Sequence, residues 1–124
     1  MNKHVLTVGL AAALLGAGAG CAKNGMGAPV RNDISGRMTA AQPSITSCYG
    51  AALQRSRKLR GMIVLSVTAE ATTGQFKNVR VDHDELGDAE LRKCVLDEVS
   101  KLKLDAPQKT NITFSYPLRF SPTK

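Results

Sequence analysis

The run Leu59-Arg60-Gly61-Met62-Ile63-Val64-Leu65-Ser66-Val67-Thr68-Ala69, followed by Thr72-Thr73-Gly74-Gln75 and then Phe76-Lys77-Asn78-Val79-Arg80-Val81, decides how the chain reads. Ile63, Leu65, Val67 and Ala69 stand at every second position among β-branched and aliphatic neighbours, the period of a strand with one buried face. Thr72 to Gln75 supplies turn chemistry, with Gly74 free to take a positive φ. Val79 and Val81 then alternate against Lys77, Asn78 and Arg80 as a second strand. The stretch predicts a β-hairpin. A hairpin alone is marginal in water, so its apolar face needs a cover from the flanking segments.

Upstream, Ile45, Cys48, Tyr49, Ala52 and Leu53 recur at i, i+3, i+4, i+7 and i+8, a helical stripe that Pro43 can open from the first turn. The helix fades between Arg55 and Arg60, and Gly61 begins the first strand. Downstream, Asp88 is placed to cap a second helix, with Glu90 in its first turn and a stripe of Leu91, Cys94, Val95, Val99 and Leu102. Lys101 and Lys103 suit its C-terminal end, and Asp105-Ala106-Pro107 breaks it. From Asn111 to Phe120, residues Ile112, Phe114, Tyr116, Leu118 and Phe120 alternate onto one face as a third strand. An all-antiparallel sheet then requires strand three beside strand one, in order 2-1-3, with both helices on one face. The expected fold is a small two-layer α+β domain, helix-strand-strand-helix-strand.

Cys48 and Cys94 each lie on the apolar stripe of their own helix, over the same sheet face. In an oxidising compartment that placement predicts a disulfide, a structural staple closing a loop that stabilises by ~4 kcal/mol on the chain-entropy account. A redox-active pair is disfavoured, because there is no Cys-x-x-Cys spacing and both positions read as buried.

The N-terminus bears on the compartment. Residues 1–21 read as a bacterial secretion signal: Lys3 gives a positive start, and Val5 to Ala19 is an uncharged Leu/Ala/Gly-rich run too short for a permanent span. Gly18-Ala19-Gly20-Cys21 resembles the lipobox of bacterial lipoproteins, in which the cysteine is lipidated; Ala17-Gly18-Ala19 also fits ordinary signal peptidase. Lipidation at Cys21 is preferred, because it uses the odd member of three cysteines and leaves an even pair. Ala22 in the next position implies retention at the outer membrane, facing the periplasm; the alternative is a soluble periplasmic protein. Either way disulfides persist there. Residues 22–42, small and polar without sustained periodicity, read as a flexible tether, which leaves 43–124 as the domain.

With 124 residues, 4% aromatics and no Trp, one modest aliphatic core is all that the chain can build. The formal charge of +7 favours anionic partners. Its densest expression is Arg55, Arg57, Lys58 and Arg60, read either as a solvated helix end or as a patch for lipid head groups or an anionic envelope polymer. Nucleic acid is disfavoured by the compartment and by the lack of interleaved aromatics. Chemistry is hard to place. His83 beside Asp82, Asp84 and Glu85 reads as a solvated strand end rather than a metal site. No nucleophile-base-orienter set or phosphate loop is visible, so neither a cofactor nor an enzymatic activity is expected. Asn111-Ile112-Thr113 reads as a chance glycosylation sequon.

The ordered series Ile45-x-x-Cys48-Tyr49-x-x-Ala52-Leu53, Leu59-x-Gly61, Gly74, Val79-x-Val81, Leu86-x-Asp88, Cys94-Val95 and Tyr116-Pro117-Leu118-x-Phe120-Ser121-Pro122 resembles the AgmX/PglI C-terminal domain family, itself similar to the C-terminal domain of TonB. Where that family tends to have Trp-x-Phe, this chain has Leu102-x-Leu104. The resemblance implies a non-enzymatic envelope binding or scaffold module, with gliding motility or an envelope complex as its setting. It further implies pairing of an extended protein partner with a sheet edge, strand two or three, the latter partly blunted by Pro117. The alternative is a soluble periplasmic adaptor holding an anionic polymer through the basic patch.

Overall fold

The computed structural model describes residues 27–122; the secretion signal, Cys21 and the first residues of the expected tether lie outside them. The elements run α1 (Ala28–Arg55), β1 (Gly61–Ala69), β2 (Phe76–Asp84), α2 (Ala89–Ser100) and β3 (Ile112–Phe120). The sheet is antiparallel in the order β2-β1-β3, with β1 at its centre. Both helices contribute to one core against one sheet face, making the two-layer α+β arrangement expected from the hydrophobic periods.

The largest departure lies before Pro43. Instead of a flexible tether reaching to residue 42, a single helix begins at Ala28 and runs through Pro43 to Arg55. Its buried residues are Ile34, Met38, Ala41, Ile45, Cys48, Tyr49 and Ala52, so the stripe already continues at spacings of three and four upstream of the proline. Pro43 is exposed, as is Thr39, whose carbonyl loses its helical partner to the missing N–H; facing water, that carbonyl needs none from the protein. Pro29, not Pro43, takes the first-turn position. Asp33 then ties this half of the helix down: its carboxylate accepts from the N–H groups of Asp105 (3.1 Å) and Ala106 (2.8 Å), just beyond α2.

The hairpin is more irregular than simple alternation implies. β2 carries two register shifts against β1, and Asn78 takes a φ of 52° at the first. Each shift inserts a residue and so turns the strand's parity. Phe76, Val79, Val81 and Asp84 thereby all face the helices, opposite Ala69, Leu65 and Ile63 in the paired register. Phe76 packs edge-on against Phe114 of β3, ring centroids 5.4 Å apart. In the turn, Gly74 takes the expected positive φ of 75°, and a Cβ there would come within 3.1 Å of Leu104. Asn111, read as a chance sequon, braces this turn: its side-chain oxygen accepts the Ala71 N–H at 2.7 Å.

α2 is set by its N-terminal cap. Asp88 accepts the Leu91 N–H at 2.8 Å, as the sequence implies. The second bulge turns Asp84 inward to receive the N–H groups of Leu86 and Gly87 and the Arg92 guanidinium (2.7 Å), which fixes the path from β2 into α2. At the other end Gln75 donates through Nε2 to the carbonyls of Ser100 and Leu102. The two helices are bridged by Cys48–Cys94, with a Cα–Cα distance of 5.8 Å.

Candidate interaction surface

A sheet of three strands leaves two edges, and they differ. The β2 edge is interrupted by its two bulges, which twist and bend a strand. Its start is also occupied: Phe76 donates to the Leu102 carbonyl, Leu104 donates to the Gly74 carbonyl, and Gln75 bridges Lys103. β3 is the regular edge. Nine consecutive residues pair with β1 in unbroken register, from Gly61↔Phe120 to Ala69↔Ile112. Its other side has no partner strand among the described residues, and the single blemish is Pro117, which lacks an N–H.

Side chains along β3 give that edge two characters. Facing the helices, Phe114 and Phe120 are buried, while Ile112, Tyr116 and Leu118 are only half-buried, because no strand lies beyond them. Burial raises the Tyr116 phenol above its ordinary pKa. On the opposite face Thr113, Ser115, Pro117 and Arg119 are exposed, and Thr113 shares a hydroxyl hydrogen bond of 3.1 Å with Thr68. A strand added here would set alternate residues beside an apolar rim and a polar rim.

The basic run is divided by the structure. Arg55 is not free for an anionic ligand: its guanidinium grips the Asp88 carboxylate through Nη2 (2.5 Å) and Nε (3.2 Å), and Nη1 lies 2.9 Å from Glu90. The last turn of α1 passes over the first turn of α2, which is why this member is spent on the cap. Hydrogen bonding from Arg55, then from the Leu91 N–H, holds the Asp88 carboxyl below its usual pKa. Arg57, Lys58 and Arg60 remain exposed on the α1–β1 connection. That connection is held in shape: the Tyr49 hydroxyl donates to the Leu59 carbonyl, Leu59 N–H donates to Ser56, and the Tyr49 ring sits 5.0 Å from that of Phe120. Sequence reasoning missed Arg119, which pairs with Met62 and so stands beside this connection; only the strand register brings it there.

His83 is exposed, with Nε2 3.0 Å from Glu85 Oε2. Glu85 also accepts the Met62 N–H at 2.9 Å. Hydrogen bonding from His83, then from Met62, lowers its pKa. Among the described residues no group of three or more His, Cys, Asp and Glu side chains converges as a metal site, and no helix is long and apolar enough to cross a membrane. Cys21, the expected lipidation site, lies outside the described residues.

No family model and no curated protein matches the chain. Among solved structures it is similar to the solution NMR structure of the Helicobacter pylori TonB C-terminal domain, at 19% identity and a TM-score of 0.52, over 73% of this chain and 84% of that one. At that identity the likeness speaks for the backbone arrangement and not for the motif series. Together with the 2-1-3 sheet and its two bridged helices, it shows that the chain folds as a TonB C-terminal-like α+β domain.

Proposed function

We propose that this chain is a non-enzymatic lipoprotein of the cell envelope, acylated at Cys21, that presents its domain to the periplasm as a protein-binding or scaffold module. The partner adds an extended segment along β3. The unbroken, unpartnered β3 edge carries this reading: it offers main-chain hydrogen bonding with a side-chain rim on each face, whereas β2 is bulged and partly covered. The secretion-type N-terminus and the Cys48–Cys94 bridge support an oxidising compartment. The AgmX/PglI-like motif series extends the proposal to a gliding-motility or other envelope complex, by analogy of sequence alone. The anionic-polymer reading loses force because Arg55 is spent on Asp88.

Photo-crosslinking residues placed singly at Thr113 and Ser115 on β3, and at Lys77 and Arg80 on β2, test the reading in cells of the source organism. A discrete protein adduct from the β3 positions, with that from Thr113 lost on Ser115→Pro, is the expected result. Adducts from β2 alone, or from neither edge, overturn strand addition at β3. The anchor is tested separately by intact mass: a chain starting at Cys21 with added acyl groups is expected, and an unmodified chain starting at Gly20 contradicts lipidation.

A further inference from the structure

Most acidic side chains of the described domain already hold a cation of their own: Asp84 takes Arg92, Asp88 takes Arg55, Asp97 takes Lys93 and Glu98 takes Lys101. The cations left without a carboxylate in salt-bridge range are unevenly placed. Arg57, Lys58 and Arg60 stand together on the α1–β1 connection, and the register sets Arg119 of β3 beside its end, opposite Met62. Glu85 lies within electrostatic reach of Arg119, outside salt-bridge range, and its carboxylate hydrogen-bonds through Oε1 to the Met62 N–H and through Oε2 to His83. This excess of positive charge is greatest at one end of the β3 edge, the end where Phe120 pairs with Gly61; at the other end, where Ile112 pairs with Ala69, exposed Lys109 stands three residues upstream of the strand. Three of the four cations are arginines, whose planar fork suits a carboxylate.

Resting on the strand-addition reading, we infer that Arg57, Lys58, Arg60 and Arg119 form a charge clamp for the acidic end of the added segment, and that this clamp sets its direction. The partner is an extended protein segment with apolar residues at alternate positions and carboxylates clustered at the end beside Arg119. In an antiparallel arrangement those carboxylates lie at the segment's N-terminus, in a parallel one at its C-terminus. Continuity with the free edge favours a protein segment over a membrane surface. The connection also presents no exposed apolar side chain to insert, since Leu59 packs against the core. Its backbone is held by Tyr49 and Ser56, so the cations are mounted on a fixed turn.

The test takes the full chain in cells with the photo-crosslinker at Ser115, in three backgrounds: unchanged, Arg57→Glu/Lys58→Glu/Arg60→Glu, and Arg119→Glu. Thermal unfolding of each purified variant checks that the fold is kept, and Arg57→Lys/Arg60→Lys/Arg119→Lys serves as a conservative control. Charge reversal is expected to cut the adduct roughly tenfold or more, the lysine variant to keep most of it. Sequencing of the crosslinked peptide is expected to find clustered Asp or Glu at the end nearest Arg119. That peptide, synthesised alone, should bind severalfold more weakly as ionic strength rises from roughly 50 to 300 mM. No adduct in the unchanged chain sinks strand addition and the clamp with it. An adduct that survives charge reversal, or a segment without carboxylates, overturns the clamp alone. Surviving adduct together with charge-dependent pelleting on phosphatidylglycerol vesicles reassigns the cations to a lipid surface.

Discussion

Asp84 and Asp88 stand four residues apart and do different work with the same chemistry. Burial acts to raise the Asp84 pKa, but the Gly87 and Leu86 N–H groups and the Arg92 guanidinium outweigh it and hold the carboxyl below its ordinary value. Asp88 is lowered by Arg55 and by the helix cap. A depressed folded pKa contributes stability that is present above the unfolded value, about 3.9 for Asp, and is lost as pH falls through the folded value. The melting temperature should therefore hold from neutral pH down to about pH 4 and drop below it. Asp84→Asn should melt lower at pH 7 and show a shallower acid limb, which calorimetry from pH 2 to 7 measures. Asp88→Ala should cost ~1 kcal/mol through the cap, near 4–8 °C for a domain of about this size. At Gly61 the constraint is steric: φ is 134°, and a Cβ would stand 2.8 Å from that of Glu85. Gly61→Ala should destabilise by about 1–3 kcal/mol in urea titration.

At the scale of elements, most of the fold was legible because its periods are local. β1 spans the residues the alternation marks, β3 starts one residue later than expected, and Asp88 caps α2 as its type and place imply. Order 2-1-3 follows from strand direction once the sheet is taken as antiparallel. Two features were not legible. The bulges of β2 hide Asp84 among exposed polar neighbours, since a shift of register leaves no mark in residue type. The first half of α1 buries few apolar residues, Ile34, Met38 and Ala41 with Val30 partly covered, and Pro43 reads as a beginning when it is an exposed interior position. The packing that makes this half a helix is tertiary. Met38, 3% exposed, should cost about 2–4 kcal/mol when cut to Ala. Pro43→Ala should instead stabilise by about 1–2 kcal/mol, the interior-proline penalty being partly offset by the unfolded chain's regained freedom. Amide hydrogen exchange should find 34–42 protected together with 45–55; exchange at the rate of an open chain would contradict a continuous helix. Of the candidate surface, Arg57, Lys58 and Arg60 were legible as a charge run, whereas Arg119 and the loss of Arg55 to Asp88 depend on contacts between distant segments.

For the molecule as a whole, the question is what holds two helices to a three-stranded sheet with few aromatics. α1 and α2 run antiparallel, and three ties join α1 to α2 and the loop beyond it: Arg55 on Asp88 at one end, Cys48–Cys94 between, and Asp33 on the loop after α2 at the other. Of these the disulfide is the one that acts on the unfolded chain, joining residues 46 apart in sequence. The chain-entropy account gives it ~4 kcal/mol, a large share of the ~5–15 kcal/mol by which a domain is stable. Reduction, or Cys48→Ser with Cys94→Ser, should lower the urea midpoint in that proportion. The denaturant slope should rise somewhat, because the open unfolded chain exposes more surface. The β3 edge does not depend on that bridge, since its register is set by β1. Under reducing conditions mild enough to keep the sheet folded, crosslinking from Ser115 should therefore persist. Loss of the crosslink in step with reduction, with the sheet intact by circular dichroism, would move the binding surface from the strand edge to the bridged helices.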